Sequence, residues 1–197
     1  PNRLGARASH GIYIHSGASN VLVEDVGIKN ARKYGIQLYG QDPGTFSDNI
    51  TLRRLMVESC ANGVTVQASR IDAARPRNLL IEDSRFVDIY DSSAAIGIKT
   101  CDGAVVRRIT VDNVARGAGI YLGNWAPYES NFNLRNLTVG GVAVTGTAKG
   151  AVWILGSNGG TFSNVVVGPG ITGGAVIREG NTAGVTVIAG PGKVRAR

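Results

Sequence analysis

The chain has 197 residues, 18% of them charged, with 28 glycines and two cysteines, Cys60 and Cys101. One domain spanning residues 1–197 is the expectation for this length; two cysteines exclude a disulfide framework, and no apolar run is long enough to cross a bilayer. A net charge of +7 and a pI near 9.8 turn the search for partners toward anions: acidic polysaccharide, nucleic acid or a phospholipid surface.

Residues 1–10 form a leading segment without a signal-peptide pattern. From Gly11 onward one short motif returns: a small residue, an aliphatic, a variable position and a second aliphatic. It reads Gly11-Ile12-Tyr13-Ile14, Gly35-Ile36-Gln37-Leu38, Gly63-Val64-Thr65-Val66, Ala95-Ile96-Gly97-Ile98, Gly119-Ile120-Tyr121-Leu122 and Ala151-Val152-Trp153-Ile154. A degenerate copy lies at Gly174-Ala175-Val176-Ile177. A second motif follows, as in Asn20 to Ile28, Asn49 to Val57, Asn78 to Asp83 and Asn131 to Val139. Its period-two alternation predicts two short strands with a bend at a charged pair.

Each repeat therefore holds three short strands and three turns, and none has a helical period. One such unit cannot bury its own apolar face, so successive units must stack. The prediction is an all-β parallel β-helix of about seven coils over residues 11–189, with a tail over 190–197. At ~4.8 Å per rung, seven rungs make a rod about 30–35 Å long. Three inward columns are expected. The first is Ile12, Ile36, Val64, Ile96, Ile120 and Val152. The second is Val23, Leu52, Ile81, Val106, Leu134 and Phe162. The third is Ile28, Val57, Phe86, Val111, Val139 and Val167. Their mostly β-branched filling suits pleated strands.

This repeat resembles that of the pectate-lyase-like right-handed parallel β-helix superfamily, from roughly Gly11 to Ala189. The resemblance implies the right hand of the helix. For activity it is broad, because the fold hosts lyases, hydrolases, epimerases, phage tailspikes and adhesins.

The bend after the second strand carries Glu24-Asp25, Arg53-Arg54, Glu82-Asp83, Arg107-Arg108 and Arg135-Asn136. Opposite charges on adjacent strands attract, so this alternation predicts a salt-bridge ladder that fixes register. Asn136 and Asn164 are placed at the same bend; Asn20, Asn49, Asn78 and Asn131 precede the second strand. Asparagine tolerates left-handed φ, so these are read as structural. The ladder consumes much of the arginine, and nucleic acid is not an expected partner; nor is a membrane.

The resemblance implies a substrate lying along the first-strand face. Its outward positions are Tyr13, His15, Gln37, Tyr39, Thr65, Gln67, Lys99, Tyr121, Trp153 and Arg178. Aromatic faces stack on sugar rings, while amides and cations bond hydroxyls and carboxylates. The long loops Gly40 to Asp48, Ala68 to Arg77 and Gly123 to Ser130 carry Asp42, Asp48, Arg70, Asp72, Arg75, Arg77, Trp125, Tyr128 and Glu129, which would wall one border. The turns on the other border carry Lys33, Tyr34, Asp91, Arg116 and Lys149.

Lys99, Arg116, Tyr121 and Asp91 are expected to converge as the catalytic group. Tyr13, His15, Gln37, Tyr39, Gln67, Trp125, Trp153 and Arg178 are expected to bind substrate. A uronate lyase or epimerase needs a cation on the carboxylate, a base for the C5 proton and an acid. A hydrolase needs two carboxylates about 5–10 Å apart, for which Asp42, Asp72, Asp91 and Glu129 are candidates. His15, taken alone, reads first as a surface residue. Alginate epimerases of the superfamily carry Tyr-Gly and Asp-Pro-His. Here Tyr34-Gly35 and Asp42-Pro43 stand at the wrong separation, with Gly44 in place of the histidine, so that active site is not carried over.

No motif demands a cofactor or metal; a Ca2+ ion at the Asp42 and Asp72 loops is the one candidate. Cys60 and Cys101 fall on opposite sides of the face and read as buried thiols. The leading function is a lyase or epimerase acting on an acidic, uronate-containing polysaccharide, at an extracellular, virion or cell surface. The alternative is a non-catalytic glycan-binding, adhesion or tailspike-type domain; a purely structural rod comes third. The sequence shows no capping helix, so either a larger parent chain or the short end segments are expected to cover the exposed ends; a homo-oligomer is a further expected partner.

Overall fold

The computed structural model describes residues 9–40, 44–68, 75–90, 94–123, 133–156, 161–188 and 194–196. The first coil is β1 (His10–His15), β2 (Ser19–Glu24) and β3 (Gly27–Lys29), and the second is β4 (Tyr34–Gly40), β5 (Asp48–Arg53) and β6 (Met56–Glu58). In the next three coils the second and third strands run together as one long bent strand. These coils are β7 (Asn62–Ala68) with β8 (Arg77–Ile89), β9 (Ala94–Ile98) with β10 (Thr100–Val114), and β11 (Ala118–Gly123) with β12 (Asn133–Thr147). Then follow β13 (Gly150–Gly156), β14 (Thr161–Val167), the short β15 (Ile171–Thr172), β16 (Val176–Gly180), β17 (Val185–Val187) and β18 (Val194–Ala196).

Pairing is parallel throughout the described strands. One sheet runs β1-β4-β7-β9-β11-β13-β16-β18, and the other β2-β5-β8-β10-β12-β14-β17, with β6 and β15 stacked on the far halves of β8 and β12 and β3 stacked on β6. The fold is the expected all-β solenoid. Coil count departs slightly from seven: the described residues make a solenoid of about five turns, while the first sheet reaches eight rungs.

The first inward column is as expected and gains Val176 and Val194. The repeat begins with a small residue for a steric reason. A Cβ on Gly35 would lie 2.7 Å from Val57 Cγ1 and 2.8 Å from Gly63 O; on Gly119 it would lie 2.7 Å from Val144 Cγ2. This position points into the corner where the third strand of a coil meets the first, and the core side chain of the third strand already fills it.

The other two columns need correction in coil five. Val106 pairs with Val139, Val111 with Val144, and Cys101 with Leu134. Val139 and Val167 therefore continue the second column, Val144 continues the third, and Leu134 and Phe162 sit before the corner that opens the second strand. The bend assignment changes with it. Asn136 and Asn164 align with Gly103, not with Arg108, and the bend of coil five is Gly140-Gly141.

Three columns of left-handed residues make the corners. The first is Asn20, Asn49, Asn78, Gly103, Asn136, Asn164 and Gly184. The second is Asp25, Arg54, Asp83, Arg108, Gly141 and Gly170. The third is Asn30, Ser59, Asp88, Asn113 and Gly146, and φ lies between 50° and 83° in all three columns. Asparagine, aspartate and glycine adopt this conformation at least cost. The amides also bond from coil to coil. Asn49 Nδ2 donates to Asn20 Oδ1 at 3.1 Å and Asn164 Nδ2 to Asn136 Oδ1 at 2.9 Å. Asn78 and Asn136 donate to Asp48 and Asp102.

The charged ladder is present, but it joins coils in pairs. Arg53 and Arg54 grip Glu24 and Asp25 at 2.6–2.8 Å, and Arg107 and Arg108 grip Glu82 and Asp83 over the same range. Hydrogen bonds from Arg53, Arg54, Arg107 and Arg108 hold these carboxyls below the usual carboxylate range. Both cysteines are buried and free. Burial raises the Cys60 thiol and pushes Cys101 to about 12.

Two outcomes are expected. Gly35→Val should lower unfolding stability by about 1–3 kcal/mol in urea titrations, because neither the backbone nor Val57 can retreat far. Acidification should lower Tm once the pH drops below the ordinary values of 4.5 for Glu and 3.8 for Asp. The sign follows from the depressed folded-state values: the pairing is fully present above the unfolded-state values and is lost as the folded carboxylates protonate. An Arg107→Ala/Arg108→Ala variant should show a flatter acid limb.

Candidate functional site

Because Gly11 and Ile12 both turn inward at the corner, His10, Tyr13 and His15 all project from the outer side of the first sheet. The next rung aligns Tyr34 with His10, Gln37 with Tyr13 and Tyr39 with His15. The third rung adds Asn62, Thr65 and Gln67. This small area holds both histidines of the chain and three of its six tyrosines.

The rings touch one another. His10 stacks on Tyr34 with centroids 5.4 Å apart and 26° between planes, and lies 5.3 Å from Tyr13. Tyr13 in turn lies 5.7 Å from His15 and 6.4 Å from Tyr39. Such tilted and offset arrangements are the favoured ones for ring pairs. Tyr13 stands 45% exposed, while Gln37 and Gln67 are 5% and 9% exposed and form a floor of amides. With Lys33, the rings other than His15 and both amides line an open depression of about 510 Å³. The backbone around Lys33 is pinned: its amide donates to Ser9 O at 2.9 Å, and its carbonyl accepts from Asn62 Nδ2 at 2.8 Å. None of the described lining residues is a carboxylate.

The expected catalytic group does not converge. Lys99 follows β9 at the exit border, its amide bonded to Val66 O, half-buried and beside Gln67. Arg116 is exposed in the turn before β11, at the opposite border. Leu122 is level with Ile98, so Gly123 is level with Lys99. At a rise of ~3.3 Å per residue, Arg116 to Gly123 is on the order of 20 Å. Tyr121 lies between the borders but is 0% exposed, and Trp153 is 5% exposed. Both face outward from the sheet, yet they are buried in an apolar cluster with Ala94, Ala118 and Ile177. Their centroids are 5.1 Å apart, and Lys149 Nζ sits 4.7 Å from the Trp153 ring centre. They pack rather than face solvent.

Arg178 also moves. It pairs with Ile154, in an inward column, because the last copy of the motif begins at Ala175 and not at Gly174. Its guanidinium bonds Thr182 Oγ1 at 3.0 Å and Thr182 O at 3.3 Å. Asp91 and Trp125 lie outside the described residues, as do Asp42, Arg70, Asp72, Tyr128 and Glu129, and with them the calcium candidate. Arg77 lies over the Phe46 ring at 3.6 Å. Among the described residues no three His, Cys, Asp or Glu stand together as a metal site, and no helix is long and apolar enough to cross a membrane.

Tyr13, His15, Gln37, Tyr39 and Gln67 thus meet in one place. Sequence reasoning missed His10, and placed Lys33 and Tyr34 only at a border. The signal was the small-aliphatic pair Gly11-Ile12: two successive inward residues put the residue before them on the same side as the one after.

Stacked coils of three parallel strands, with rings, amides and a lysine clustered on the outer face of one sheet, define a β-solenoid. The chain belongs to the right-handed beta helix region family, whose model matches residues 8–187. No curated protein and no solved structure matches it.

Tyr121→Ala should cost about 3–5 kcal/mol of stability, as expected for emptying a large buried aromatic site. Tyr13→Ala should stay within about 0.5 kcal/mol of the parent. Urea titration of the two variants distinguishes a packing tyrosine from a surface one.

Proposed function

We propose that the outer face of the first sheet binds an acidic, uronate-containing polysaccharide, and that the chemistry done there is proton transfer at C5, as in a lyase or an epimerase. The observation that carries this reading is the depression itself, where four rings, two amides and a lysine meet. Rings supply flat faces for sugar C–H surfaces, amides bond hydroxyls, and the Lys33 ammonium offsets the carboxylate charge that grows as the C5 proton leaves. His10 and Tyr34, stacked beside Lys33, supply the base and the acid.

In elimination, the base takes the C5 proton, the electron pair forms the C4–C5 double bond, and the glycosidic oxygen leaves with a proton from the acid. In epimerisation the proton returns to the opposite face. A hydrolase is disfavoured, because the lining offers no carboxylate pair among the described residues. The second reading is a binding or adhesion domain without turnover, favoured by a lining made mostly of rings. Either function fits an extracellular, virion or cell-surface setting.

The test uses alginate, polygalacturonate and hyaluronan with the purified protein. Ultraviolet absorbance of the unsaturated uronate reports elimination, and deuterium uptake at C5 from D2O reports epimerisation. We expect one of the two signals, with His10→Ala reducing it about a hundredfold or more while binding persists. Binding with neither signal leaves the binding-domain reading. No binding to any acidic glycan overturns the proposal.

A further inference from the structure

The ring patch on the first sheet is longer along the strands than across them. Following β1, the rings come at His10, Tyr13 and His15; along the rod axis they extend one rung further, to Tyr34 and Tyr39 on β4. The centroids step 5.3 Å from His10 to Tyr13 and 5.7 Å from Tyr13 to His15, so the row of rings extends at most about 11 Å, whereas one rung step is ~4.8 Å. Three ring stations follow one another along β1: His10 with Tyr34 stacked on it, Tyr13 with Gln37 in register beside it, and His15 with Tyr39 in register beside it, Tyr13 touching the rings on both sides.

Along the rod axis the face changes character. In the column that begins with Tyr13 and Gln37, the next residues are Thr65 and Gly97, which offer no ring. Beyond them come Tyr121 and Trp153, which are buried and present nothing to a ligand. An axial ligand would leave the rings after two rungs and meet a closed surface by the fifth.

Resting on the glycan-binding reading above, we infer that the ligand crosses the rod along β1 and β4, transverse to its axis, and that recognition covers three consecutive sugar units. One ring station serves each unit. Lys33, at the first station, meets the carboxylate of the unit bound there.

Calorimetric titration with oligogalacturonates and oligomannuronates of two to eight units tests the length. Affinity should rise from dimer to trimer and then stay level. Two variants test the direction. Gly97 has open space where a Cβ would be added, so Gly97→Phe is the variant that would set a ring across an axial track. It should leave the affinity unchanged. Tyr34→Ala and Tyr39→Ala, at the two outer stations, should each weaken binding about three- to tenfold. Affinity that keeps rising beyond five units, or loss of binding in a Gly97→Phe protein that melts like the parent, overturns the transverse path and leaves glycan binding standing. Failure of polymer and oligomer alike to bind removes the glycan-binding reading itself.

Discussion

A three-strand coil of this chain has an apolar side and nothing of its own to cover it. The neighbouring coil does that work, so every inward residue must stand directly above its counterpart. Ile36, Val64, Ile96, Ile120 and Val152 are all fully buried in this way, and each such burial contributes roughly 1.5–3 kcal/mol. A shift of one residue would send an entire column to the surface. Strict register has a structural consequence: the chain must turn at the same three places in every coil. Turning sharply takes a left-handed residue, and the three corner columns of asparagine, aspartate, arginine and glycine follow from it.

The corners do more than turn the chain. In the first four coils they carry side chains that bond to the coil beside them, through Asn49 to Asn20 and through the two four-residue arginine–carboxylate clusters. The Glu82 side chain is only 8% exposed and is met by two guanidinium groups. Removing both arginines would leave a desolvated charge, which is far costlier than losing an exposed pair. From coil five onward the second corner becomes Gly141 and Gly170, and the polar clamp at that corner ends. The ring-lined depression sits on the clamped coils. A site that must hold several rings at fixed spacing gains from elements whose register cannot slip.

The core was legible in the sequence because its period is short and its chemistry simple. The first column could be read position by position from the small-aliphatic-variable-aliphatic motif, and the steric conflict at Gly35 explains why a small residue opens it. Legibility failed where insertions shifted the count. Asn136 was assigned to the charged bend because it follows Arg135, yet it turns the corner before the second strand; the real bend, Gly140-Gly141, carries no charge to announce it. Arg178 was misplaced for a similar reason, since Gly174-Ala175 imitates the start of the motif one residue early. Tyr121 and Trp153 were correctly put on the outer side of the sheet. Alternation gives the side of a sheet, however, and says nothing about whether that side meets water. The site was half legible: Tyr13, His15, Gln37, Tyr39 and Gln67 were named together, while the proposed group of Lys99, Arg116 and Tyr121 ignored the length of a strand.

Stacking constrains inward positions tightly and outward positions hardly at all. The column beginning at Ile12 is aliphatic down to Val194, whereas the column beginning at Tyr13 passes through Gln37, Thr65, Gly97, Tyr121, Trp153 and Ile177. That outward variety is where function can be written without disturbing the fold. Its distribution here is uneven. Both histidines of the chain fall on one strand, and three tyrosines fall on that strand and the next. Apolar packing claims the same face four rungs further on. A rigid scaffold has thus been left open over the first rungs of one sheet and closed from the fifth to the seventh. The rings at the open end are held before any ligand arrives, by contacts among themselves and by the amide floor beneath them. A ring face held in this way has little conformational entropy left to lose, which is the physical ground on which the glycan-binding proposal rests.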